Sequence, residues 1–303
     1  MTHLDRRSFL QTAGAFAATA MLPALAEAIP KKRAFEISLA EWSLHKALFS
    51  NKITNLDFPG IAKKEFGISI IEYVNQFMKG KAQDKAYLDE LLMRCRDNGV
   101  TNHLIMIDGE GPLADLDATV RDQTIENHKK WIECAKYLGC KTIRVNAQGT
   151  GSPEEVAKAA VEGLSKLGEV GKASGINVIV ENHGGITSNG AWLAGVIKQV
   201  GMKNVGTLPD FGNFCMKRSE TGCDDSYDRY KGTQELIPYA KGLSAKTYDF
   251  DEKGNCIETD YTKMMKIVKA NKFRGIIGIE YEGSKLDEYA GIRRTKELLE
   301  RVG

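Results

Sequence analysis

Histidine is scarce in this chain, and so is any excess of charge. Five histidines occur in 303 residues, and only His45, His103, His128 and His183 lie beyond residue 28. That is too few for a histidine-rich multi-zinc nuclease centre. The formal net charge is +2, and it stays +2 without residues 1–28, where Asp5 and Glu27 offset Arg6 and Arg7. Such a balance excludes an electrostatic hold on nucleic acid or on an anionic membrane. The six cysteines show no C-x-x-C pair and no disulfide-framework spacing. The dinucleotide turn G-x-G-x-x-G is missing too, Gly109-Glu-Gly111 being too short to count. No cluster of Arg or Lys beside a glycine-rich turn offers a phosphate cradle. No Pro/Ser-rich linker or compositional break follows residue 34, so a single domain is expected over 34–303.

Long hydrophobic runs are absent as well. The alanine-rich stretch from Ala13 to Ala26 is weakly apolar and short for a membrane span. It follows Asp5-Arg-Arg-Ser-Phe-Leu-Gln11 and contains small residues suited to cleavage, Ala24-Leu-Ala26 or Ala26-Glu-Ala28. Residues 1–28 therefore read as a twin-arginine signal peptide, with the mature protein periplasmic or otherwise exported and no stable span after processing. A helical anchor left in place is the alternative. An oxidising destination permits a disulfide, and Cys215 with Cys223 is the best-placed pair. Their spacing leaves open whether they join, and core filling is the expected role of the other cysteines.

What the chain does have is a repeat. Apolar or β-rich runs end near Trp42, Glu72, Asp108, Asn146, Glu181, Asp210, Lys246 and Glu280, at intervals of 29 to 38 residues. One interval holds a strand, a helix and two loops, and eight of them make a (β/α)8 TIM barrel. Residues 83–98, 119–138, 153–174, 188–200, 260–270 and 286–302 mix apolar and charged side chains at helical spacing. Gly99, Gly139, Gly175 and Gly201 stand where helices need a left-handed cap, and Ser152-Pro-Glu-Glu155 reads as a capping box. An open doubly wound sheet is the competing architecture, and the missing dinucleotide turn counts against it.

Three runs stop on a carboxylate: Asn177-Val-Ile-Val-Glu181, Val205-Gly-Thr-Leu-Pro-Asp210 and Gly275-Ile-Ile-Gly-Ile-Glu280. A buried strand ending in an acid loses stability unless the charge has a partner. Alternate residues of a barrel strand face inward, and the C-terminal ends carry the chemistry. That parity turns Glu181 and His183, Asp210, Ser244 and Lys246, Glu280 and Glu282, and Arg144, Asn146 and Gln148 toward one mouth. Acids facing one cavity repel at low dielectric, so Glu181, Asp210 and Glu280 read as ligands of a divalent cation. Oxygen ligands favour Mg²⁺ or Mn²⁺, and an added imidazole brings in Co²⁺ or Zn²⁺. Pairing of each acid with a barrel lysine or arginine is the alternative.

Around the metal ligands, Lys246 reads as an acid/base or oxygen donor, with Glu181 and Glu280 as its catalytic partners. A salt bridge from Lys246 to Glu280 or Glu282 is the competing role, and methionine in its place is expected to cost little packing. His183, Glu72, Asn146, His45, Trp42 and Asn213 are candidate substrate contacts, with Asp108 a further one. Tryptophan often stacks on a sugar ring, although core tryptophans are commoner.

Glu181-Asn-His-Gly-Gly185, Leu208-Pro-Asp-Phe-Gly-Asn-Phe214 and Gly278-Ile-Glu-Tyr-Glu-Gly283 resemble the xylose isomerase-like, or sugar phosphate isomerase/epimerase, TIM-barrel superfamily. The resemblance runs from about Phe35 to the C-terminus. The superfamily includes ketose 3-epimerases, inositol-pathway isomerases and dehydratases, endonuclease IV and lyases of 3-keto-glycosides. The resemblance implies a divalent metal on the fifth-, sixth- and eighth-strand acids, here Glu181, Asp210 and Glu280. Many members add a histidine from strand seven, and Ser244 stands in its place. The fourth position then falls to His183, Asn213, water or substrate.

The expected function is metal-dependent proton transfer next to the carbonyl of a small-molecule carbohydrate. Export and the missing phosphate cradle favour an unphosphorylated sugar, with C3 of a glucose-like ring as the preferred carbonyl position. The sequence leaves isomerisation, epimerisation, and β-elimination or hydration on a 3-keto-glycoside open. A ketose 3-epimerase or sugar isomerase proper is one alternative, and an exported carbohydrate-binding barrel without chemistry is another.

Overall fold

Each of the eight runs becomes a parallel strand. The computed structural model describes residues 34–220 and 222–303, and the expected signal at 1–28 lies outside them. The strands before the sixth crossover are β1 (Glu36–Ala40), β2 (Ile70–Val74), β3 (Thr101–Met106), β4 (Thr142–Val145), β5 (Asn177–Glu181) and β6 (Val205–Leu208). A two-stranded hairpin follows, β7 (Cys215–Ser219) and β8 (Gly222–Ser226), and then β9 (Leu243–Thr247) and β10 (Ile276–Tyr281) complete the set. The sheet runs β6-β5-β4-β3-β2-β1-β10-β9. Parallel bridges Thr207–Ala240 and Asp210–Ser244 bring β6 against β9, so the sheet all but closes into a barrel.

The helices are α1 (His45–Phe49), α2 (Phe58–Phe66), α3 (Lys85–Asn98), α4 (Ala118–Leu138), α5 (Pro153–Ser174), α6 (Gly190–Val200), α7 (Arg229–Leu236), α8 (Tyr261–Ala270) and α9 (Glu288–Val302). The six segments with helical spacing match α3 to α6, α8 and α9 to within two residues. The sequence misses α1, α2 and α7 for identifiable reasons, α1 because its five residues are too few to show a period. Pro59-Gly60 interrupts the first turn of α2, while α7 buries Gly232, Thr233 and Leu236 rather than an apolar stripe. The expected capping box is present: Ser152 Oγ accepts from the Glu155 amide at 3.3 Å, and the Ser152 amide donates to Glu155 Oε2 at 3.0 Å. It satisfies two donors that α5 would otherwise leave unpaired.

Strand parity sorts the core into two. Val178, Val180, Ile277 and Ile279 face outward and pack under the helices. Ala40, Val74, Leu104, Met106, Ile179 and Leu208 fill the barrel interior, with Trp42 and Phe77 packed against them at the mouth. The filled interior makes the barrel a solid core, so ligands are confined to its C-terminal face. Spacing left the Cys215–Cys223 pair open, and the structure bridges it, with Cα atoms 5.8 Å apart across the β7–β8 hairpin. Cys95, Cys134, Cys140 and Cys256 are buried free thiols, as expected. No helix among the described residues is long and apolar enough to cross a membrane.

Candidate active site

The carboxylates meet. Glu181 ends β5, Asp210 follows β6 by two residues and Glu280 is the penultimate residue of β10. One oxygen from each lies within 4.8 Å of the others, and all three residues are buried. Local structure explains how an irregular segment holds Asp210 in place. Asn182 spans the gap, its amide donating to the carbonyls of Asp210 and Asn213 at 3.0 Å each while its Oδ1 accepts from the Asp210 amide at 2.8 Å. The amides of Gly212 and Asn213 each donate to Asp210 Oδ1 at 2.7 Å. Gly212 also gives room to a neighbour, because a Cβ there would sit 2.9 Å from Lys246 Cγ.

Two cations reach into the cluster. Lys246 Nζ lies 2.8 Å from Glu280 Oε1, 3.3 Å from Glu282 Oε1 and 4.0 Å from Asp210 Oδ2. Arg144, on β4, donates to Asp108 Oδ1 at 2.6 Å. Its Nε stands 2.9 Å from Glu181 Oε2, yet the N–H does not point at that oxygen, and both atoms are buried without a hydrogen bond. The other oxygen of Glu181 accepts from Asn213 Nδ2 at 3.1 Å. Ser244 Oγ lies 2.8 Å from Asp210 Oδ2 and 3.2 Å from Glu280 Oε2, so one hydroxyl proton is shared between two ligand candidates.

Burial and these partners set the protonation states. Burial pushes Glu181 and Asp210 up to about 7, against the pull of Arg144 and Lys246 respectively. Glu280 is also buried, but Lys246 holds it below the usual carboxylate range. Burial opposes the charge on Lys246, and Glu280, Asp210 and Glu282 nevertheless hold it well above the usual lysine value. Asp108 goes down to about 2 because Arg144 outweighs its desolvation. Burial, with Arg144 and Lys246 nearby, lowers His183, which stays neutral near pH 7. Its Nδ1 lies 3.1 Å from Asn146 Oδ1, whose amide is turned by its own 2.7 Å donation to Asp108. That arrangement puts the imidazole proton on Nδ1 and leaves Nε2 as an acceptor.

Glu181, Asp210, Glu280, Lys246, Asn213, Asn146 and His183 thus form one connected group. Glu72 sits deeper, beside the row where Ser38, Gly278 and Ser244 pair. It accepts from Ser38 Oγ at 2.6 Å, and burial raises it to about 8. Gly278 is needed there, since a Cβ would lie 2.7 Å from Glu72 Oε2. Gly278→Ala is expected to lower stability by about 1–3 kcal/mol, the cost of overpacking a filled core. Urea unfolding checks this, and an unchanged midpoint would show that Glu72 has another place to go. Trp42 joins the group indirectly, donating from Nε1 to Glu282. His45 stands outside it, stacked on Trp42 at 5.0 Å and bonded to the Trp42 carbonyl at 2.7 Å. Sequence reasoning turns Arg144 inward but assigns it no role. A guanidinium on an inward barrel position facing three acids is the signal that would have found it.

The donor set fits a divalent cation. Five acids (Asp108, Glu181, Asp210, Glu280 and Glu282) face two cations, Arg144 and Lys246, while burial holds Glu72 protonated beneath them. Glu181 Oε2 is buried without a hydrogen bond, its one close partner being the misaligned Arg144 Nε. Charge deficit and unbonded acceptor are what a cation among Glu181, Asp210 and Glu280 would relieve.

Known proteins share this architecture. The model of the family described as xylose isomerase-like TIM barrel matches residues 62–302, and the chain belongs to that family. No curated protein matches it by sequence. Among solved structures, the IOLI protein with a zinc atom is 15% identical, with a TM-score of 0.67 over 88% of this chain and 98% of that one. A D-tagatose 3-epimerase-like protein is 18% identical, with a TM-score of 0.66 over 88% and 98%. The 3-keto-D-glucoside 4-epimerase YcjR from E. coli is 16% identical, with a TM-score of 0.61 over 88% and 99%.

Proposed function

We propose that this barrel moves a proton beside the carbonyl of an unphosphorylated sugar, and that a 3-keto-glycoside is its substrate. The carrying observation is the meeting of three buried carboxylates, each with an oxygen within 4.8 Å of the others. Among them Glu280 is tied to Lys246 at 2.8 Å, while Glu181 Oε2 has only a misaligned ion pair with Arg144 and no hydrogen bond. Sugar epimerases are among the proteins that share the fold, one of them named for a 3-keto-D-glucoside. Export, expected from residues 1–28, argues against cytosolic sugar phosphates.

Glu181, Asp210 and Glu280 would hold the divalent cation, with Ser244 bracing Asp210 and Glu280 from below. A bound cation would polarise a carbonyl and its neighbouring hydroxyl oxygen, which acidifies the carbon between them. Glu181 is the base: its carboxylate ends β5 beside the other two acids, with Oε1 oriented by Asn213 Nδ2 at 3.1 Å, and a bound cation would keep it ionised and ready to take a proton. It takes the proton from C2 of a 3-keto ring, and the C–H electrons move toward the C3 oxygen. As those electrons return, the C1–O bond breaks and a C1=C2 double bond forms. The departing oxygen takes a proton from Lys246, which its carboxylate neighbours keep charged. Hydration of the enone is the same sequence reversed, and return of the proton to the opposite face is epimerisation.

The test offers the metal-loaded protein a 3-keto-glucoside, its unsaturated elimination product, a free ketohexose and a sugar phosphate in D₂O. Deuterium beside the carbonyl and loss of the C1 substituent are expected with the 3-keto-glucoside, and the reverse addition with the unsaturated product. Exchange with the ketohexose alone would make the protein a ketose epimerase. Exchange with the sugar phosphate alone would overturn the choice of substrate.

A further inference from the structure

A cavity of about 700 Å³ opens beside the carboxylate cluster on the β1–β3 side of the mouth. Proton transfer at one ring gives it no role. Its lining includes Phe49, Gln76, Gln83, Asp108, Lys79 and Trp131, and two of these connect it to the chemistry. At one rim, Asp108 is bonded to Arg144, which abuts Glu181. Phe49 also lines the cavity, and behind Phe49 the rings of Trp42 and Phe77 form an aromatic wall. Trp42 reaches Glu282, which touches Lys246, and Trp42 packs edge-on against Phe49 and tilted against Phe77, with centroids at 5.9 and 6.0 Å. Phe49 and Phe77 close the wall at 5.1 Å.

Two details separate this cavity from ordinary surface relief. Phe49 is 56% exposed at the end of α1 although its aromatic neighbours are at least half buried. An apolar ring left in water beside a cleft loses burial energy that a ligand face would recover. Gln83 and Lys79 line the same cavity, are exposed, and among the described residues make no side-chain hydrogen bond or ion pair, so both can turn to a ligand. An aromatic face that shares its cavity with solvent-facing amide and ammonium donors and the Asp108 carboxylate suits a ring with one apolar face and a rim of hydroxyls. That description fits a pyranose, whereas an aromatic aglycone would leave the donors unused.

We propose that this cavity takes a second pyranose ring, so that the substrate is a disaccharide-type glycoside whose leaving group is itself a sugar. The assignment rests on the glycoside reading above and adds where the departing half is held. The reacting ring lies over Glu181, Asp210 and Glu280, and the leaving ring stacks on Phe49 while Gln83 and Lys79 donate to its hydroxyls. Ring stacking and these donors hold the C1 oxygen between Lys246 and the aromatic wall. Position along the wall, rather than any new chemistry, then selects the substrate by length.

The test is calorimetric titration of the full protein with methyl glucoside, a glucose disaccharide and phenyl glucoside, none of them oxidised, so that binding is read without turnover. The disaccharide is expected to bind at least ten-fold more tightly than methyl glucoside. Phe49→Ala, at an exposed position, should remove most of that advantage while leaving methyl glucoside within two-fold. Equal affinities, an advantage that survives Phe49→Ala, a preference for phenyl glucoside over the disaccharide, or no binding of either sugar at millimolar concentration would each overturn the second-ring site. Turnover of the 3-keto forms is scored separately. A disaccharide preference without reaction sinks the proposed chemistry and keeps the site, and reaction without preference does the reverse.

Discussion

Replacing Glu181 by glutamine is expected to abolish tight divalent-cation binding and to lower turnover by about 10³-fold, within the range of a lost acid/base group. The substitution keeps the shape and the Asn213 contact of Oε1 but removes the charge and the proton acceptor. Stability against pH gives the same prediction a second readout. In the metal-free protein, burial raises Glu181 and Asp210 to about 7 and Glu72 to about 8, whereas unfolded carboxylates titrate near 4. Between about pH 4 and 8 the folded state therefore binds more protons than the unfolded one, so stability falls as pH rises through that window. Asp108, held near 2 by Arg144, and the lowered Glu280 act in the opposite sense. Their contribution is complete above about pH 4 and is lost only on further acidification. A cation competes with the protons on Glu181 and Asp210, so Mn²⁺ should raise Tm more at pH 8 than at pH 5. Glu181→Gln should erase that difference. Equal gains at both pH values, or an undiminished gain in the variant, would end the metal assignment.

Lys246→Met is expected to cut turnover by about 10²-fold or more and also to destabilise the metal-free barrel by about 3–5 kcal/mol. The sequence alone suggests a mild packing change at this position, and the structure corrects that view. Lys246 is 2% exposed and stands among Glu280, Glu282 and Asp210, so its loss leaves buried carboxylates without their cation. Saturating divalent metal should recover part of the stability, because it supplies charge to Glu280 and Asp210. It should not recover turnover, because it restores no proton donor for the leaving oxygen. Denaturant melts with and without metal, beside single-turnover kinetics, separate the two effects. Normal turnover in the Met variant would confine Lys246 to holding the site together.

The sequence by itself determined the barrel and the direction of its inward residues. Period and parity are local properties of the chain: a strand–helix unit recurs, and side chains alternate, whatever the rest of the molecule does. Glu181, Asp210, Glu280 and Lys246 were legible for that reason, as were the helix stops at Gly99, Gly139, Gly175 and Gly201, whose left-handed caps are local geometry too. Tertiary structure decided everything that depends on which atoms meet. It closed the Cys215–Cys223 bridge, because an antiparallel hairpin that carries little of the hydrophobic core brings the thiols together. It lowered Glu72 into the row beneath the cluster, because Gly278 lacks the Cβ that would exclude it. It made Arg144 the ion-pair partner of both Asp108 and Glu181, left that Glu181 oxygen without an aligned hydrogen bond, and joined Trp42 to Lys246 through Glu282. Those outcomes turn on hydrogen-bond angles and desolvation among residues distant in sequence, which no local pattern encodes.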